Sequence, residues 1–390
     1  MTNFEGQTLL QVIPALVSGG AERTTLEVAA AFRAANGRSL VVSGGGPMAG
    51  ELERQGSIHI EMPAASKNPL VIAENARNLA ELIKTERVSL VHARSRAPAW
   101  SALMAARRTE RPFITTYHGA YRAKSWPKRL YNSVMVRGNA VIANSAFTYQ
   151  AVADQYQGKP YFDEARMTVI PRGADLSRFD PATITDARIA GPQSFFGTGL
   201  RVLLPGRFTA WKGHEVLIDA AAEISKTNPH HAMSFVAIGR QDDKLEYVET
   251  LRKKIDQAGL SGAFQLLPAT DDMPAWIAAS DVVVSASTEP EAFGRVAVEA
   301  QAVGRPTIAT AHGGALETVI SGKTGLLVPP DDPLALAQAL LSVNDLGVDG
   351  RRCMGERGMA HAREKFTVEA MTAATLMVYR ELIMQHEGAV

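Results

Sequence analysis

The chain has 390 residues, 46% of them hydrophobic and 21% charged, with a formal net charge of +1. That length exceeds a single core, which stops growing at roughly 250–300 residues, and the composition is globular rather than disordered or fibrous. With one cysteine, Cys353, and no apolar run of the ~18–20 residues that span a bilayer, the sequence excludes a disulfide scaffold and an integral membrane protein.

Strand-like apolar runs alternate with helical patterns from the start. The first apolar stretch, 8–17, is interrupted by Gln11 and Pro14 and lacks a basic leader, so it does not read as a signal peptide. In the first half, strands are expected at 9–13, 39–43, 89–92, 113–116, 140–143 and 168–170. Helical patterns fall between them at 21–35, 70–84 and 97–108. The stretch 172–199 is rich in Gly, Pro, Ser, Thr and Asp and reads as linker and irregular surface. The rhythm then repeats, with strands at 201–204, 234–238, 263–267, 281–285, 306–309 and 325–328, and helices at 215–225, 245–257, 273–279 and 296–303. From Val368 onward the apolar residues Met371, Val378, Tyr379 and Leu382 recur with a helical period. This order implies two doubly wound parallel α/β domains, 1–185 and 186–366, with a final helix, 367–390, that closes the second domain or crosses back to the first. Residues 1–190 carry 23 Lys and Arg against 16 Asp and Glu, and the remainder 18 against 24, so a basic half precedes an acidic one.

Three stretches carry chemistry. The first, 204–215, follows the opening strand of the second domain and places Arg207 and Lys212 around a helix start near Gly213. Cations at a helix N-terminus are unfavourable unless an anion joins them; the sequence leaves open a phosphate site and a pair of solvated basic residues. The second, 288–299, contains Glu291 and Glu299. Were both helical, they would stand ~12 Å apart along the axis, too far for a glycosidase dyad. They read either as two contacts on one long ligand or as a helix-entry and a solvated glutamate. The third is the tract 94–137, which has ten basic residues (Arg94, Arg96, Arg107, Arg108, Arg111, Arg122, Lys124, Lys128, Arg129 and Arg137) against the single acid Glu110. No nucleic-acid-binding motif accompanies it, so an anionic lipid-linked acceptor or an inner-leaflet membrane surface is the expected partner.

The sequence resembles the retaining family 4 glycosyltransferases of the GT-B fold. The pieces are Gly19-Gly20-Ala-Glu-Arg, Gly206-Arg207 with Trp211-Lys212-Gly213, Glu291-Ala-Phe-Gly with Glu299-Ala, Gly304-Arg-Pro, Gly313-Gly314-Ala-Leu-Glu317 and Gly325-Leu-Leu-Val-Pro. The stretches at His92, Tyr117-His118-Gly119 and 142–147 are similar to the lipopolysaccharide-core mannosyl- and glucosyltransferases.

The resemblance implies two Rossmann-like domains facing a central cleft and a donor held as a nucleotide sugar. Arg207 and Lys212 would hold the diphosphate, Glu299 the ribose hydroxyls, and Glu291 the sugar hydroxyls with backbone N–H groups from Ala292, Phe293 and Gly294. Gly19 and Gly20 would admit donor phosphate and acceptor, and His118 would sit beside the transferred sugar. Ala292 stands where many relatives carry Gly. The expected reaction moves a hexose, with GDP-mannose favoured over UDP-glucose, to a lipopolysaccharide core or other lipid-linked glycan on the cytoplasmic face of the membrane. No cofactor and no metal are expected: the chain has no Asp-x-Asp triplet, and Asp242-Asp243, Asp271-Asp272 and Asp331-Asp332 read as caps and surface. No carboxylate stands out as a nucleophile, so front-face substitution with retention is expected. The rival readings are another GT-B enzyme such as an epimerase or phosphorylase, a nucleotide-dependent oxidoreductase, disfavoured because Gly-x-Gly-x-x-Gly is missing after the first strand, and a non-catalytic sugar- or lipid-binding protein.

Overall fold

The computed structural model describes residues 3–388 except 18, 121, 122, 124, 229, 231 and 241–244. The chain forms two compact units, one of residues 1–173 and 368–390, the other of residues 174–367.

The first unit holds a seven-stranded sheet of β1 (Thr8–Val12), β2 (Arg38–Ser43), β3 (Ile58–Glu61), β4 (Leu90–Ala93), β5 (Phe113–Tyr117), β6 (Ala140–Ala143) and β7 (Met167–Val169). Its order is β3-β2-β1-β4-β5-β6-β7, and every pairing is parallel. Parallel strands covered on both faces need apolar residues at successive positions, and β1 shows why its Leu-Leu pair qualifies. Leu10 packs with Val42 and Val91 on one face; Leu9 packs with Leu90, Ile114 and Tyr379 on the other. The helix Val368–Glu387 supplies Met371, Leu376, Tyr379, Leu382 and Ile383 to that second face.

The second unit repeats the plan with β8 (Leu200–Pro205), β9 (Met233–Gly239), β10 (Phe264–Pro268), β11 (Val282–Ser285), β12 (Thr307–Thr310) and β13 (Gly325–Val328) in the order β10-β9-β8-β11-β12-β13, all parallel. Val202, Leu204, Val282 and Val284 face one core layer, and Leu203, Val236 and Val283 the other.

Two expectations are corrected. β3 was not anticipated: Ile-His-Ile-Glu offers two apolar residues on a half-exposed edge, too little for a pattern. The stretch 172–199 is not a linker, and the expected boundary at 185 falls inside the second unit. Phe179, Ile184 and Phe196 are buried in that unit's core, and a helix, Asp186–Gln193, forms within the stretch. Ala174 also bonds Phe366 O at 2.8 Å, tying both ends of the second unit together.

Candidate active site

In the second unit the strand order reverses between β8 and β11, and the loops leaving the carboxyl ends of β8, β11 and β12 meet there, as such switch points require for ligand binding. Lys212 ends a short 3-10 turn, Ala210–Lys212, and Gly213 caps the helix His214–Thr227 at φ 75°. A Cβ on Gly213 would lie 1.8 Å from Ala286 O, so the β8 loop rests directly on the β11 loop. Thr288 N–H donates to Trp211 O at 2.8 Å across the same seam. The β12 loop closes the third side: Gly314 N–H donates to Glu291 O at 2.7 Å, and a Cβ on Gly313 would meet that oxygen at 2.4 Å.

This packing brings Lys212 and Glu291 together. Lys212 Nζ donates to Glu291 Oε1 at 2.7 Å, and the Ser287 hydroxyl donates to the same oxygen at 2.5 Å. Lys212 Nζ also stands 4.4 Å from the Trp211 ring centroid, a cation–π contact. The two charged side chains are 13% and 18% exposed, so their attraction is only partly screened. One of three ammonium donors is engaged, and no bond to Glu291 Oε2 is found among the described residues. The pair therefore presents a cation and a carboxylate oxygen side by side, able to take an anionic oxygen and a hydroxyl of one ligand. Arg207 is exposed, with no ion-pair partner among the described residues.

Glu291 precedes the helix Arg295–Ala302 and only Glu299 lies within it, so the axial spacing that assumed two helical glutamates does not hold. Glu299 is 7% exposed and accepts from Arg295 Nε at 2.5 Å. Gly294 caps this helix at φ 77°. The Phe293 ring is buried edge-on against Phe366 at 5.6 Å between centroids, so a ligand there meets only its backbone, alongside that of Ala292. Ser287, Gly313 and Gly314 complete the arrangement. The two glycines were legible as a motif but had no assigned role; Ser287, four residues before Glu291, had no sequence signal.

In the first unit, Gly19 is the N-cap of the helix Gly20–Ala34 at φ 143°. A Cβ on Gly20 would lie 2.3 Å from Arg172 Nη1. Arg172 also lines a cavity of about 20 Å³ together with Thr24, Arg94, Thr116, His118 and Asn144. Gly20 and His118 are thus brought to one corner. Burial, reinforced by Arg94 and Arg172, lowers the His118 pKa to about 3, so its imidazole is neutral at pH 7. Its Nε2 has no hydrogen-bond partner among the described residues.

The basic tract is not one face. Arg94 is 2% exposed, and its Nε and Nη2 donate to Gln11 Oε1 at 2.8 and 2.6 Å. Arg137 lies over Tyr161 at 4.2 Å. Arg107, Arg108, Arg111, Lys128 and Arg129 are exposed, while Tyr121, Arg122 and Lys124 lie outside the described residues.

Comparison with known proteins gives this geometry a family. Residues 18–178 match the model described as Glycosyltransferase Family 4, and residues 199–345 that of Glycosyl transferases group 1. A crystal structure of a glycosyltransferase from Rickettsia africae is 36% identical, superposes with a TM-score of 0.86, and is matched over 97% of this chain and 98% of its own. The chain belongs to the family 4 glycosyltransferases. Its two parallel-sheet α/β units are those of the GT-B fold. Another relative, an Anabaena protein (Alr3699/HepE) solved with UDP-glucose, is 25% identical with a TM-score of 0.73, over 95% of this chain and 99% of that one. The D-inositol 3-phosphate glycosyltransferase of Paenarthrobacter aurescens is 33% identical over 60% of this chain, which spans only 56% of that relative's length. No described helix is long and apolar enough to cross a membrane.

Proposed function

We propose that this family 4 member transfers a hexose from a nucleoside diphosphate sugar to an anionic acceptor, with retention at the anomeric carbon and without a divalent metal. The observation that carries the reading is the Lys212–Glu291 pair, held at the carboxyl edge of the second sheet by three loops that glycines allow to touch. Arg207 and Lys212 take the diphosphate, assisted by the N-terminus of the helix His214–Thr227. Glu291 takes sugar hydroxyls, Glu299 the ribose, the backbone from Ala292 to Gly294 lines the sugar, and Gly19, Gly20 and neutral His118 serve the transferred sugar and acceptor in the first unit. The leaving diphosphate, with its charge held by Lys212 and Arg207, accepts the acceptor's proton on the departure face, so the acceptor enters from that face. The absence of an Asp-x-Asp triplet supports turnover without a metal.

GDP-mannose as donor and a lipopolysaccharide core or other lipid-linked glycan as acceptor, met at the inner face of the cytoplasmic membrane, follow from the resemblance of the first-unit motifs and from the exposed arginines and lysines of 107–129. Two neighbours favour a second substrate pair. The Anabaena protein was solved with UDP-glucose, and the Paenarthrobacter relative is named for D-inositol 3-phosphate. Product NMR tests the mechanism under either choice. An α-linked donor gives an α-linked product if the diphosphate is the base; a β-linked product overturns it.

A further inference from the structure

In the second unit the support beneath Glu291 has no part in the roles assigned so far. The loop 287–291 is clamped at both ends by the loop that follows β12. At one end Ser287 O accepts from Thr310 Oγ1 at 2.8 Å and from His312 Nε2 at 2.8 Å. A carbonyl can only accept, so the His312 proton resides on Nε2. At the other end Glu291 O accepts from Gly314 N–H at 2.7 Å. Between them, Thr288 N–H donates to Trp211 O on the β8 side. Ser287 and Thr310 are 2% and 3% exposed, so water competes little for the bonds at Ser287.

This clamp aims the Ser287 side chain. Its hydroxyl donates to Glu291 Oε1, the same oxygen that accepts from Lys212 Nζ. A carboxylate oxygen offers two lone pairs, and two donors fill both of those on Oε1. The remaining acceptor is Oε2, to which no bond is found among the described residues. Lys212 alone would not fix this choice. An ammonium is a compact point charge, so it holds Glu291 in place yet lets the carboxylate turn. The hydroxyl is directional, and it comes from a short side chain on a pinned backbone. A carboxylate that cannot turn presents one oxygen in one direction.

We propose that Ser287 is a positioning residue for the transfer: with Lys212 it fills Glu291 Oε1, leaves Oε2 to the donor sugar in a fixed direction, and so sets which epimeric hydroxyl the site accepts. The assignment rests on the reading that Glu291 takes sugar hydroxyls, and it adds the group that decides sugar selectivity. Inverting one ring carbon re-aims its hydroxyl, and a fixed acceptor is then left unpaired. A carboxylate free to turn follows the hydroxyl to its new position and discriminates less.

The test is nucleotide release by the full-length chain from two pairs of epimeric donors, GDP-mannose against GDP-glucose and UDP-glucose against UDP-galactose. Ser287→Ala is expected to lower kcat on the preferred donor by about tenfold or more. It should also shrink the preference over the epimer by about fivefold or more, while free GDP and UDP bind as they do to the parent protein. Ser287→Thr keeps the hydroxyl and should keep both rate and preference. His312→Ala removes one of the two bonds that pin Ser287 and should lower the preference in the same direction; His312 is half-buried, so this variant should fold, which thermal unfolding checks. Where turnover is too slow to follow, calorimetric titration with the same donors reads the same preference. An unchanged preference in Ser287→Ala, whatever its rate or thermal stability, is what a merely structural hydroxyl would give and overturns the assignment. A parent protein that prefers neither member of either pair overturns it as well. Glu291→Ala separates this inference from the reading beneath it. If that variant keeps the parent rate and preference, Glu291 does not hold the sugar and both fall. If it loses them while Ser287→Ala keeps them, only the role of Ser287 falls.

Discussion

Lys212 meets two demands that sequence spacing could not show together. Its ammonium is committed to Glu291 Oε1 on one side and to the Trp211 face on another, which fixes a flexible side chain before any ligand arrives. On the proposed reading, a donor phosphate would then meet a positioned cation rather than a mobile one. Lys212→Ala removes a charge-assisted contact worth ~1.5–3 kcal/mol, so kcat/KM should fall by at least about tenfold, since ~1.4 kcal/mol is a factor of ten. The change also strips Glu291 of its counter-charge, so KM for the donor should rise along with the loss in kcat. Steady-state kinetics with either nucleotide sugar decides this; unchanged constants in a folded variant would remove Lys212 from the site. Gly213 acts one bond away through the backbone. Its φ of 75° and the 1.8 Å approach to Ala286 O leave no room for a methyl group. Gly213→Ala should destabilise the protein by about 2 kcal/mol or more, by strain and clash together, and should lower activity by pushing Lys212 off Glu291. Denaturant unfolding with the same midpoint as the parent protein would contradict this.

At the level of elements, the helix Val368–Glu387 shows how a distant segment becomes part of the first unit's core. Tyr379 is fully buried, and its hydroxyl lies 2.5 Å from His92 Nδ1, while His92 Nε2 lies 2.8 Å from Thr116 Oγ1. The helix is thus tied to β4 and β5 by a polar chain inside an apolar layer. Tyr379→Phe keeps the ring and deletes the hydroxyl, leaving His92 Nδ1 buried without a partner. The expected loss is ~1–3 kcal/mol in equilibrium unfolding, with no change in donor affinity. A neutral outcome would show that the hydroxyl does not anchor the helix. The sequence announced this helix through its 3.6-residue period, and it announced twelve of the thirteen strands found among the described residues because a parallel sheet covered on both faces demands continuous apolar runs. It did not announce β3, whose Ile-His-Ile-Glu is an edge segment with half its side chains in solvent, nor the packing of Phe179, Ile184 and Phe196 in a stretch whose Gly and Pro content reads as linker. Lys212 and Glu291, which the structure brings together, were legible as candidates because glycines and charged residues recur there in motif order. Ser287 and Arg172 were not, because what they do depends on which loops touch across the fold, and no local spacing encodes that.

On the scale of the whole molecule, both units bury a histidine in neutral form, and this sets the acid limit of the fold. His92 in the first unit and His214 in the second are each 0% exposed. Burial lowers both pKa values: His92 falls well below 6.5, with Arg94 adding to the effect, and His214, stacked on Phe208 at 4.8 Å, falls to about 4. The folded pKa is depressed in each case, so the unfolded chain binds the extra proton. Stability is therefore fully present above the unfolded value of ~6.5 and is lost as the pH falls from there toward the folded value. At pH 5, about 1.5 units below that reference, each of these groups should contribute about 2 kcal/mol less than at pH 7, at ~1.4 kcal/mol per unit. For units of this size, ~2–4 °C per kcal/mol converts this to a fall of roughly 4–8 °C in Tm for the second unit and about twice that for the first, where His118, its pKa lowered to about 3, adds to His92. Paired carboxylates such as Asp281, whose pKa is lowered below its usual 3.8, respond only at lower pH and do not enter this window. Scanning calorimetry at pH 7 and pH 5 measures the effect, and His214→Phe assigns it. That variant keeps an aromatic ring against Phe208, removes the titrating group, and should flatten the pH dependence of the second unit while the first still loses stability. A Tm that stays constant from pH 7 to pH 5 would mean that neither histidine is buried in neutral form.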